Sequence, residues 1–63
     1  MRFLSKKEVR SLILYSFAHI DRLELAGKFP TRVRLGPGRV GWVDEEVQEW
    51  MQQRISDRDK TRS

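Results

Sequence analysis

A chain of 63 residues holds one small domain, because a large core usually needs about 100 residues or more, and with 38% hydrophobic content burial and chain entropy nearly balance. The absence of cysteine excludes disulfide staples, thiolate zinc sites and thiol nucleophiles, and the lone His19 supplies no metal cage. The net charge of +4 is unevenly spread: residues 1–43 carry nine basic and three acidic side chains, for +6, and residues 44–63 carry four and six, for −2.

The Met-Arg start is not followed by a signal-peptide core, and no stretch approaches the roughly 20 apolar residues of a membrane span. A cytoplasmic protein of a reducing compartment is expected. Its basic first two-thirds favours a polyanion partner.

Ser5 and Glu8 stand at the spacing of a capping box and predict a first helix over Lys6 to Leu12, with Val9, Leu12 and Ile13 on one side and Lys6, Lys7 and Arg10 on the other. Phe3 and Leu4 are expected to fold back onto the core. Ser16 is the next N-cap, the run to Ala26 contains no Gly or Pro, and Gly27 supplies a left-handed helix end. In this second helix Ile20 and Leu23 share the inner face, leaving Phe17, Ala18, Asp21 and Arg22 toward solvent. Two short helices joined by so tight a link suggest a helix-turn-helix.

After Phe29-Pro30 the period changes. Thr31 to Leu35 alternates basic and apolar residues, Gly36-Pro37-Gly38 is a turn signal, and Arg39 to Trp42 alternates again. A β-hairpin is predicted with Val33, Leu35, Val40 and Trp42 inward and Arg32, Arg34 and Arg39 outward or at the tip. Asp44 caps a third helix, Glu45 and Glu46 suit its positive end, and Val47, Trp50 and Met51 form its core stripe. The domain is expected over 1–55. No apolar residue follows Ile55, so 56–63 reads as a disordered tail.

The element order resembles the winged-helix variant of MerR-like DNA-binding domains, an α+β winged helix-turn-helix. The wording narrows the likeness. Phe3-Leu4-Ser5 with Glu8-Val9, Ser16 with Ile20-Asp21-Arg22-Leu23, Gly27-Lys28-Phe29-Pro30, and Gly41-Trp42 with Glu46-Val47 and Trp50 together resemble the AlpA family of prophage regulators, over about residues 3 to 54. That resemblance implies a second helix in the major groove, lined by Ser16, Phe17, Ala18, His19, Asp21 and Arg22. It implies a wing on the minor groove or its phosphates carrying Arg34, Gly38 and Arg39, and phosphate contacts from Lys6 and Lys28; Arg32, on the same outward face, is counted with the DNA-binding wing. Family members activate integrase or excision genes or act as recombination directionality factors. Where the family often writes a Ser-Arg-Ser-Thr-like run at the helix start, this chain has Ser16-Phe17-Ala18-His19.

Each candidate also has a structural role open to it. Arg22 serves either as a guanine reader or as a helix-surface charge, although neither Asp21 nor Glu24 stands four residues from it. Arg32, Arg34 and Arg39 serve either as phosphate contacts or as protection of an edge strand. His19 suits a local polar or phosphate contact more than a pH sensor. Trp42 and Trp50 fall on core positions rather than stacking platforms, and Asp44, Glu45 and Glu46 answer the helix dipole rather than a metal. Phe17, read as exposed, suits a thymine methyl or a subunit contact.

The expectation is a DNA-binding regulator of a prophage or other mobile element, acting without cofactor or metal as a monomer in solution and as a cooperative array on double-stranded DNA. An integrase is a second candidate partner. No nucleophile paired with a base and no phosphate-cradling glycine loop is present, so an enzyme is not expected. The rival reading is a small protein-interaction module presenting Phe17, Leu25 and the tail.

Overall fold

A computed structural model describes the backbone of residues 1–61 and the side chains to residue 59. The elements run β1 (Phe3–Leu4), α1 (Lys6–Ile13), α2 (Phe17–Leu25), β2 (Val33–Gly36), β3 (Arg39–Val43) and α3 (Asp44–Thr61). The fold is an α+β winged helix-turn-helix: α1 and α2 form the helix pair, and β2 and β3 form the wing. The described residues form one antiparallel sheet in the order β1-β3-β2.

Local chemistry sets the helix boundaries. The Ser5 hydroxyl accepts from the Glu8 amide at 3.1 Å, and the Glu8 carboxylate accepts from the Ser5 amide at 3.0 Å, completing the capping box. α1 ends at Ile13, one residue later than the sequence suggests, and its cap Leu14 has a left-handed φ of 63° although the residue is not glycine. Ser16 then caps α2, accepting from the His19 amide at 3.3 Å. Gly27, at φ 71°, lets the chain leave α2 as expected.

β1 is a strand that alternation did not reveal, because two residues are too few to show a period. Phe3 pairs with Val43 and Leu4 with Trp42. Gly41 makes this possible: a Cβ there would stand 3.2 Å from the Leu4 carbonyl oxygen and 3.0 Å from Leu35 Cδ1. The core beneath is Leu4, Val9, Ile20, Phe29, Trp42 and Val47. Ile13, Tyr15, Leu23, Val40, Trp50 and Met51 pack around it.

Four expectations are corrected. Leu35 does not point inward: the ladder shifts register between Arg34 and Gly36, and Leu35 is 48% exposed. Leu12 faces mostly outward, so the buried stripe of α1 is Val9 with Ile13 at its margin. Phe17 is half-buried against the core rather than exposed. The helix also runs through Ser56 to Thr61, where a disordered tail was expected. No Gly or Pro interrupts Asp44–Thr61, and Gln53 donates to Asp57 one turn on at 3.1 Å, so the helix continues past its last core contact on local interactions. Residues 62 and 63 lie outside the described residues.

Candidate nucleic-acid interface

The start of α2 is fixed from below. Phe17 lies under two cations, with Lys6 Nζ 5.7 Å and the Arg10 guanidinium carbon 5.5 Å from its ring centroid. His19 is half-buried, its ring 4.3 Å edge-on from Tyr15, and Tyr15 in turn meets Trp50 of α3 at 6.3 Å. Phe17 and His19 thus anchor the helix start to α1 and α3. Ser16, Ala18, Asp21 and Arg22 are exposed. Among the described residues no carboxylate pairs with Arg22.

The wing presents Arg34 from β2 and Arg39 from β3, both exposed and unpaired among the described residues. Gly38 takes φ 68° in the turn between them, a conformation that favours glycine. Lys6 and Lys28 are exposed. The Lys28 backbone does structural work, its amide donating to the Leu23 carbonyl at 2.8 Å and its carbonyl accepting from the Trp50 indole at 2.8 Å.

Arg32 departs from its expected place on the outward face of the wing. Its Nε donates to both carboxylate oxygens of Glu24 at 3.1 Å, a terminal nitrogen donates to Glu24 Oε1 at 2.8 Å and to Asp21, and its backbone amide donates to Glu24 Oε2 at 3.3 Å. The guanidinium lies 5.0 Å from the Trp42 ring centroid. The Glu24 hydrogen bonds push the Arg32 pKa up against the opposing effect of burial, with Asp21 adding to the rise. Asp21 therefore does not stand as a free carboxylate on α2. The i, i+3 spacing of Asp21 and Glu24 signals a shared cation, but its position eight residues past Glu24 across a loop carries no local signature.

Charge pairing across the basic two-thirds of the chain follows one rule. Its acids are Glu8, Asp21 and Glu24, and each is held by an arginine: Glu8 by Arg2 at 2.8 Å, the other two by Arg32. Lys6, Lys7, Arg10, Arg22, Lys28, Arg34 and Arg39 are left without a carboxylate partner among the described residues. Sequence reasoning named five of these; Lys7 and Arg10 were seen only as the polar side of α1. Trp42 is buried in the core and Trp50 is tied to Lys28, so neither ring offers a stacking platform.

The family model described as prophage CP4-57 regulatory protein (AlpA) matches residues 2–55, the helix pair, the wing and the first two-thirds of α3. The chain belongs to the AlpA family of prophage regulatory proteins. A protein of Enterobacteria phage P4, described as uncharacterized protein ORF88, is 42% identical over 57 residues, which cover 90% of this chain and 65% of that protein. The chain thus spans about two-thirds of the length of the curated relative it matches. AlpA is a family of prophage regulatory proteins, and the relative comes from a phage. No helix among the described residues is long and apolar enough to cross a membrane.

Proposed function

We propose that this AlpA-family chain binds double-stranded DNA and regulates a prophage or other mobile element, as a transcriptional activator, an excisionase-like recombination directionality factor, or both. α2 enters the major groove with Ser16, Ala18 and Arg22 toward the bases, while Asp21, held by Arg32, stays at the margin. Arg34, Gly38 and Arg39 of the wing meet the adjacent minor groove or its phosphates, and Lys6 and Lys28 reach the backbone. The carrying observation is the charge pairing just described: every acid of the basic region is held by an arginine, Asp21 and Glu24 sharing Arg32, and seven exposed cations have no carboxylate partner among the described residues. One domain of this size covers few base pairs, so the monomer fills repeated sites side by side, where an integrase is a neighbour.

Fluorescence anisotropy on duplexes tiled across the element's attachment site and integrase promoter tests the proposal. With about five to seven phosphate contacts, affinity falls by roughly two decades or more between about 50 and 200 mM salt. A flat salt dependence overturns it.

A second reading, a protein-interaction module, is favoured by Leu25, which is 89% exposed at the end of α2. Capture of a protein partner that survives nuclease treatment, with no shift of any duplex, would select that reading.

A further inference from the structure

We infer that Arg32 is the positioning residue of the DNA-reading surface: it ties α2 to the wing through Glu24 and holds the Asp21 carboxylate, which would otherwise stand free on the helix that reads DNA. This rests on the DNA-binding function proposed above and assigns Arg32 a role other than phosphate contact.

The geometry is that of a clamp. Arg32 sits just before β2 and reaches back to Asp21 and Glu24 of α2, while its guanidinium lies over Trp42 of β3. Among the described residues, every hydrogen bond joining α2 to the hairpin segment comes from Arg32. α2 and the wing are the two parts that must meet one duplex at once, and their backbones are not closely packed on each other. Ile20 and Leu23 of α2 share the core with Trp42 and Val40, and among the described residues Arg32 adds the direct polar tie between the two parts. A planar guanidinium fork suits the task, because it engages one carboxylate with two nitrogens, reaches a second and still presents a face to the indole. A lysine offers a single point of attachment.

The electrostatics point the same way. The Glu24 side chain is only 10% exposed, so without Arg32 its charge remains partly dehydrated and unpaired. Asp21 is half exposed on the helix that carries Arg22, where a free carboxylate repels phosphate. A guanidinium already committed to two carboxylates has little left for a phosphate.

The test is a double-mutant cycle on the full chain, with a duplex selected from a randomised pool as the probe. Arg32→Ala weakens binding to that duplex by roughly tenfold in the native background and by less than about twofold in the Asp21→Asn, Glu24→Gln background, since it acts through those two residues. The slope of affinity against salt stays the same in both. An equal loss in both backgrounds, with the slope smaller by about one, makes Arg32 a phosphate contact and overturns the inference. Arg32→Lys, which keeps the charge and loses the fork, falls between native and alanine, and it carries the comparison where the alanine variant does not fold. If the native chain binds no duplex, the DNA-binding reading fails, and hydrogen exchange of the free protein judges the clamp separately. Exchange faster in both α2 and the hairpin of the Arg32 variant supports it; exchange unchanged there overturns it.

Discussion

The indole N–H of Trp50 donates to the backbone carbonyl of Lys28 across 2.8 Å, and the same ring meets Phe29 edge-on at 4.9 Å. One residue of α3 thereby secures the segment that leads from α2 into the wing. Trp50→Phe retains most of the ring contact and removes the donor. It lowers stability by about 1 kcal/mol, read as a drop in the urea midpoint at unchanged slope. Trp50→Ala also loses the contacts with Phe29 and Tyr15 and costs about 3 kcal/mol.

Arg22 and the wing arginines differ in what they do to binding. Arg22→Ala reduces discrimination between the selected duplex and its single-base variants by about 1–3 kcal/mol at one or two positions. Arg34→Ala with Arg39→Ala weakens binding to selected and random duplexes alike and lowers the salt slope by about two. Anisotropy titrations on both duplex types separate the outcomes, and equal losses on selected and random DNA for Arg22→Ala remove it from base reading.

The capping box gives α1 a pH dependence. Hydrogen bonds from the Ser5 backbone, with further help from Arg2, hold the Glu8 carboxyl below its ordinary value near 4.5. A depressed folded pKa contributes stability above the unfolded value, and that contribution is lost as pH falls through the folded one. The melting temperature of the native chain therefore declines on acidification below about pH 4.5 more steeply than that of Glu8→Gln, which keeps an acceptor for the Ser5 amide and does not titrate. Thermal melts of the two proteins from neutral pH to about pH 3 check this difference.

What local chemistry decides was legible in the sequence. Ser5, Ser16 and Gly27 marked helix ends because a cap is a contact between near neighbours. The Gly-Pro-Gly turn placed the wing for the same reason. Arg32 was misplaced because strand alternation says which face a residue occupies and nothing about a carboxylate on another element. Leu35 was misplaced because a register shift reverses the faces, and no residue type announced the shift. The end of α3 was misread because the lack of apolar residues removes a reason to pack, not the backbone's ability to stay helical.

Leu14 stores backbone strain. It is left-handed at φ 63° and 84% exposed, so its side chain gains little from packing. Leu14→Asn relieves part of a conformational cost of about 1–2 kcal/mol and raises stability by up to about 1 kcal/mol. Chemical denaturation shows this as a higher midpoint, and a lower one would mean that Leu14 contributes contacts its exposure does not reveal.

The pairing of Phe3 with Val43, reinforced by the Asp44 amide on the Arg2 carbonyl at 2.8 Å, sews the first strand to the last. The first strand thus waits for a partner made about forty residues later, and closing that span costs chain entropy before any ladder bond repays it. During synthesis the leading segment must remain unpaired until β3 has left the ribosome. The domain then folds in one late cooperative step, and a fragment ending before β3 carries the helix pair with no sheet to hold it.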